Sequence, residues 1–280
     1  GDHRDLHSFP TRRSSDLAKP IAKPSKTVIA SSAMEMPCLS RIKMRNYYFY
    51  DRLDSTMNEY MRLKEIDNQA LCVCANTQND GIGRHDHIWL SPPGGLWFTF
   101  DLELNQNIPS FALYAGFCVH KCLESLFSPL KGRLLIKWTN DIILDNRKLG
   151  GILCRYQSAK KTYTIGIGLN TNNEIPQELG KFGAISLASV LGFPVSNHWL
   201  CKNLIYSLES HCQTDLEDYS YLTYCNNHLF GKEKLALFET GGLHLKAEIM
   251  SIDPSGALLI RKDMGEFTNL HTGSILEILN

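Results

Sequence analysis

Three stretches of the chain set loop glycines beside charged and amide side chains where an extended segment starts or stops. The first is Thr77-Gln78-Asn79-Asp80-Gly81-Ile82-Gly83-Arg84, which runs on to Trp89-Leu90-Ser91-Pro92. Glycine lets backbone N–H groups come close to an anion, and Arg84 adds a planar cationic fork beside them. The second is Lys137-Trp138-Thr139-Asn140-Asp141 at a strand end, and the third is Lys148-Leu149-Gly150-Gly151 at the start of another. Two ammonium groups near an anion-binding loop suit a reaction that builds negative charge on phosphate. Taken singly, the loop reads as an ordinary turn and each lysine as a solvated surface group. Spacing alone does not show whether Lys137 and Lys148 face one pocket.

The elements that must position these groups follow from periodicity. Tyr47–Tyr50 reads as a short strand, followed by a helix capped by Asp54 or Ser55 and running to about Lys64. Leu71–Ala75 is a strand leading into the first loop. Leu96, Phe98, Phe100, Leu102 and Leu104 alternate, which predicts a half-buried strand. Ser110 is expected to cap a helix whose apolar face is Leu113, Phe117, Leu123 and Leu126. Leu134–Trp138 and Ile142–Leu144 read as strands, and Asp145-Asn146-Arg147 turns the chain into Gly151–Tyr156. That hairpin brings Lys137 and Lys148 into one neighbourhood. Tyr163–Leu169 is a further strand, and two or three helices are expected between Ala184 and about Leu229. From Lys234 short strands turn at Gly241-Gly242, at Asp253-Pro254-Ser255-Gly256 and at Gly273, in the manner of a small β-barrel module.

Composition narrows the class. The chain has 280 residues, a formal net charge of +0 and 21% charged residues, so nothing points to nucleic acid or an anionic membrane as the main partner. No apolar run approaches the roughly 20 residues that span a bilayer, and no secretory signal is legible. The 9 cysteines form no CxxC and read as free thiols of a reducing compartment. A cytoplasmic location is expected. Residues 1–45 hold Arg12, Arg13, Ser14, Ser15, Pro20 and Pro24 without a sustained apolar period, and are expected to be a disordered leader. Residues 1–17 have the look of a vector or adapter scar; the alternative is a basic transit peptide, which would make the location organellar.

Taken together, the motifs resemble the biotin–protein ligase family. Its signatures are matched in order by Asp54-Ser55-Thr56-Met57, by Gln78 through Pro92, by Lys137–Asp141, by Lys148–Leu153 and by Gly166-Ile167-Gly168-Leu169-Asn170. The stretch Ser255-Gly256-Ala257-Leu258-Leu259-Ile260 resembles the family's terminal β module. The match covers roughly residues 47–280. It implies an α+β fold: a class II synthetase-like mixed sheet with flanking helices over 46–230, and a small SH3-like β-barrel over 231–280. It also implies ATP and biotin as substrates, Mg²⁺, and a biotin carboxyl carrier protein whose lysine accepts the biotin.

Residue roles follow from the resemblance in the same way. Ser55, Thr56 and Gln78 would hold the ureido end of biotin, with Met57 and Ile82 beside it. Gly81, Gly83 and Arg84 would wrap the carboxylate and the adenylate phosphate, and Lys148 would reach both. Lys137 and Asn140 would help hold phosphates and metal, Asp141 would belong to the ATP or adenylate site, Asn170 would lie near the nucleoside, and Trp89 would pack behind the loop. Arg84, Lys137 and Lys148 are the expected catalytic cations; no metal ligand is assigned. Within the family pattern, Met57 stands for an asparagine, with Asn58 next to it, Ile82 for a basic residue, and Thr139 for a proline. His85-Asp86-His87 is expected to be an exposed loop rather than a metal site, and Met57 with Met61 to be core packing.

Members that repress transcription carry a helix-turn-helix domain, and nothing before Tyr47 resembles one, so a monofunctional enzyme without DNA binding is expected, as monomer or homodimer. The alternatives are a lipoate–protein ligase of the same fold and a degenerate relative that binds biotin or a carrier without turnover.

Overall fold

The computed structural model describes residues 25–27, 44–67, 69–84, 87–175, 182–211, 216 and 219–279. Eight strands form one sheet: β1 (Ser25–Thr27), β2 (Asn46–Leu53), β3 (Leu71–Gln78), β4 (Leu96–Glu103), β5 (Leu134–Lys137), β6 (Asp141–Leu144), β7 (Arg147–Gln157) and β8 (Thr162–Leu169). Their order is β1-β2-β3-β4-β8-β7-β6-β5. The β2–β3 pair is parallel and the other pairs are antiparallel. Parallel neighbours need a crossover, and helix α1 (Thr56–Ile66) supplies it, with Ser55 as N-cap accepting from the Met57 N–H. The short strand β1 falls inside the stretch expected to be disordered. Ser25–Thr27 pair with Tyr47–Phe49, because the outer edge of β2 offers unpaired backbone groups that an extended segment can fill.

Helix α2 (Phe111–Leu126) is apolar on nearly all sides and lies buried between the sheet and α4 (Asn197–His211) and α5 (Ser220–Asn227), with α3 (Leu187–Leu191) preceding them. The expected cap at its start is not formed. Ser110 has left-handed backbone (φ 54°) and makes no capping bond; its hydroxyl donates instead to Gly256 O at 3.1 Å. Strand β4 departs from expectation too. Its first seven residues are all buried, because α4 covers one face while α1 packs against the other. A buried ion cluster fastens the start of β2: Arg45 binds Asp101 at 2.7 Å and Glu209 at 2.6 Å.

Strands β9 (Leu235–Thr240), β10 (Leu243–Ile252), β11 (Leu258–Arg261), β12 (Phe267–Leu270) and β13 (Ser274–Ile278) make a five-stranded antiparallel sheet. Its order, β12-β11-β10-β9-β13, leaves β12 and β13 as edges, with no closing pair among the described residues. Phe238, Ile249, Ile260 and Ile275 of this sheet share one apolar core with Leu113, Phe117 and Leu123 of α2. The Trp138 ring is part of that core, and its Nε1 donates to Gly256 O at 3.0 Å. No helix among the described residues is long and apolar enough to cross a membrane.

Candidate active site

The first loop folds back on itself as a small ladder. Trp89 N–H donates to Gly81 O at 2.8 Å and Gly83 N–H to His87 O at 2.8 Å, while Ile82 bridges Ile88. The ladder returns Trp89 over strands β7 and β8. A Cβ on Gly168 would lie 2.6 Å from Trp89 Nε1, and one on Gly151 would lie 2.9 Å from the same ring, so only glycine leaves room for the indole at these registered positions. The Trp89 Nε1–H is buried and has no hydrogen-bond partner among the described residues. A buried orphan donor of this kind costs about 1–3 kcal/mol, which a ligand acceptor would offset.

Between loop and sheet lies a cavity of about 170 Å³. At the level of Gly166 the surface is hydroxyl-rich and neutral. Thr56 and Thr99 share a hydrogen bond of 2.9 Å between hydroxyls, the Thr56 N–H donates to Gln78 Oε1 at 2.7 Å, and Gln78 Nε2 donates to Ser91 Oγ at 2.7 Å. Met57 is buried, and its methyl lies 2.9 Å from where a Gly166 Cβ would stand. Two residues further along β8, about 6.6 Å at the rise of a strand, the lining turns ionic. Lys148 Nζ sits 2.9 Å from Asp141 Oδ1 and 4.8 Å above the Trp89 ring. The cavity is therefore a slot with a neutral polar level and a charged one.

The hairpin does bring the two lysines together. Lys137 Nζ lies 3.5 Å from the other oxygen of Asp141. The two differ in access, however: Lys148 lines the cavity, whereas Lys137 is buried behind Asp141 with its ammonium 4.4 Å over the Phe182 ring. Burial lowers the pKa of Lys137; Asp141 opposes that, and the neighbouring charges of Lys148 and Arg84 reinforce it. A β-bulge helps to aim Lys148. Gly150 pairs with Ile142 but Lys148 pairs with Ile143, so Leu149 is the extra residue.

Arg84 donates to Thr139 Oγ1 at 2.5 Å, to Asn140 Oδ1 at 3.1 Å and to Gly273 O at 3.0 Å. Burial lowers its pKa, with Asp141 and Glu239 pulling the other way. Asn140 is itself held by Ile152 O at 2.9 Å. Thr139, which stands where the family pattern has proline, thus supplies an acceptor that proline lacks.

Of the residues expected at a site, Ser55, Thr56, Met57, Gln78, Ile82, Gly83, Arg84, Trp89, Asn140, Asp141 and Lys148 line this one cavity. Gly81, Lys137 and Asn170 do not. Gly81 is buried in the loop ladder, and Asn170 is buried beside β7, its Nδ2 3.4 Å from Lys148 O. Asn58 is tied to Asp54 Oδ2 at 3.2 Å and does not replace Met57 in the lining. Met61 is 40% exposed, contrary to the core role expected of it, because it sits on the outward side of α1. His87 is exposed and reaches the cavity rim, while His85 and Asp86 lie outside the described residues.

Sequence reasoning missed Thr99, Gly151, Gly166, Gly168 and Ser274 as lining residues. Glycines at 166 and 168 share a strand face, a spacing that could have signalled an open surface there. Nothing local marks Ser274, which the terminal sheet delivers.

Residues 49–172 match the model of the Biotin/lipoate A/B protein ligase family. The chain is similar to Biotin--protein ligase 2 of Arabidopsis thaliana, 35% identical over 120 residues, covering 40% of this chain and 36% of that one. It is also similar to the Bifunctional ligase/repressor BirA of Bacillus subtilis (strain 168), 28% identical over 200 residues, covering 68% of this chain and 60% of that one. It thus spans 36% and 60% of the length of these two curated relatives. In fold it matches the biotin protein ligase from Aquifex aeolicus in complex with biotin and ATP, with a TM-score of 0.69 at 24% identity, over 81% of this chain and 96% of that one.

Proposed function

We propose that the protein is an ATP-dependent biotin–protein ligase, with residues 46–230 as its catalytic unit and 231–280 as an appended β module. The observation that carries this reading is the two-level slot. Its neutral level, with Thr56, Thr99 and Gln78, suits an uncharged cyclic urea that both donates and accepts hydrogen bonds. Its charged level, with Arg84 and Lys148, suits a carboxylate and a phosphate that meet. A short acid with one neutral polar head fits that order of surfaces.

In this reading the carboxylate of biotin attacks the α-phosphate of ATP. A C–O–P mixed anhydride forms, the bond to pyrophosphate breaks, and pyrophosphate leaves with the electron pair. Arg84 and Lys148 stabilise the charge gathered on the phosphate, and Asp141 holds the Lys148 ammonium in place. The neutral amine of a carrier lysine then attacks the acyl carbon, AMP leaves and the amide forms. Among the described residues that line the cavity Asp141 is the one carboxylate, and both its oxygens face ammonium groups. Mg²⁺ would therefore be held chiefly by the phosphates, where it would neutralise the leaving pyrophosphate.

The test is exchange of labelled pyrophosphate into ATP with biotin or lipoate, followed by transfer to a carrier domain. Exchange with biotin and labelling of the carrier lysine are expected. Exchange with lipoate alone overturns the substrate, and biotin binding without exchange overturns the enzymatic reading.

A further inference from the structure

A second cluster of reactive side chains lies outside the slot. Cys72 and Cys74 alternate along β3, and Cys201 comes from α4, 129 residues beyond Cys72. Their sulfurs form a near-equilateral triangle, 3.7 Å between Cys72 and Cys74 and 3.9 Å from each to Cys201. All three are buried free thiols. In register, Cys72 and Cys74 stand opposite Phe100 and Phe98, whereas the next position, Val73, stands opposite Thr99. The triangle is therefore on the other face of the sheet from the Thr99 hydroxyl that lines the slot.

The size of the triangle is informative. A metal–thiolate bond is about 2.3 Å long, so three sulfurs around one ion lie about 3.75 Å apart in a tetrahedral site and about 4.0 Å apart in a planar one. The two 3.9 Å edges fall between those values, and the 3.7 Å edge lies just under the tetrahedral one. A disulfide needs about 2.05 Å, so any pair would have to close by nearly half its separation. We propose that Cys72, Cys74 and Cys201 form a binding site for a thiophilic closed-shell cation, Cu(I) or Zn(II).

Three further features fit a site. Thiolate donors select soft cations over hard ones. Among the described residues no fourth metal-ligating atom joins the cluster. This suits Cu(I), which accepts three thiolates, more directly than Zn(II), which would need a fourth donor such as His198, a residue of α4 that lines the same groove as Cys74. Access exists as well: Cys74 lines a groove of about 420 Å³ together with Phe49, Asn197 and His198. Burial pushes the Cys72 and Cys201 thiols up, while hydrogen bonds with Cys201 and Cys72 hold Cys74 down, to about 5.

The experiment uses the full chain, reduced and handled without oxygen. Cu(I) and Zn(II) are titrated separately against a chromogenic chelator, and X-ray absorption is recorded at the edge of the bound metal. Uptake of one ion per chain with three sulfur neighbours is expected, with an added nitrogen in the zinc case if His198 closes the site. Cys201→Ser should weaken uptake at least a hundred-fold, and Cys154→Ser should leave it unchanged. Should Cys201→Ser fail to fold, the sulfur count on the unaltered chain decides. No stoichiometric uptake of either ion, fewer than three sulfur neighbours, or full uptake by Cys201→Ser overturns the proposal.

Discussion

Asp141→Asn is the sharpest probe of the charged level, because Asp141 stands between two ammonium groups of different burial. At 3.5 Å the attraction to Lys137 is about 5 kcal/mol at an effective dielectric of 20, and desolvation of both partners offsets most of it. The larger consequence is what remains once the carboxylate is gone. Lys137 is 9% exposed and would be left as a buried cation without its counterion, a change that costs about 3–5 kcal/mol. Lys148, whose side chain is 35% exposed, adds no more than about 1 kcal/mol after screening by water.

We therefore expect Asp141→Asn to lose about 3–5 kcal/mol of unfolding free energy at neutral pH, measured by urea titration. The pH dependence gives an independent check. The folded pKa of Lys137 already lies below its free value of 10.5. Protonated Lys137 thus penalises folding, and the penalty is relieved as pH rises from the folded pKa to 10.5. Removing Asp141 lowers that folded pKa further, so the variant should recover stability at lower pH than the parent does. Adding Lys137→Met should restore at least half of the loss. A loss under about 1 kcal/mol, or no recovery in the double variant, would refute the assignment of Lys137 as a buried charge held by Asp141.

Other positions yield shorter tests. Lys137→Met alone should flatten the rise in stability with pH below 10.5 that the parent shows, read by urea titration across that range. Gly168→Ala puts a Cβ 2.6 Å from Trp89 Nε1; the fold should survive with a loss of about 1–3 kcal/mol, while calorimetry should show biotin binding weakened about ten-fold or more. Ile82→Arg adds a cation to the loop that already carries Arg84, and one charge-assisted contact of about 1.5 kcal/mol should slow release of the adenylate about ten-fold in a chase experiment. Thr139→Ala removes the 2.5 Å acceptor of Arg84 and leaves Asn140 and Gly273 O; a loss of about 1.5 kcal/mol in thermal or urea unfolding is expected, with Thr139→Ser close to the parent.

The amino-acid sequence by itself determined the segments that bear chemistry and the local elements beneath them. Ser55 as a helix cap, the Asp145-Asn146 turn with both residues at positive φ (50° and 61°), and the hairpin that joins Lys137 to Lys148 are short-range consequences of residue type. Tertiary structure decided what faces what. Trp89 reaches the glycines of β7 and β8 because the loop ladder returns it there, and Lys148 points into the slot while Lys137 does not, partly because Leu149 bulges. Ser110 gives up its expected cap for Gly256, and Gly273 and Ser274 arrive at Arg84 and the slot from the terminal sheet. Cys201 meets Cys72 and Cys74 only when α4 lies down on β3 and β4. The physical reason is common to all of these: periodicity along a segment sets which face a side chain takes, but the partner on that face comes from a segment remote in sequence, chosen by register and packing across the sheet.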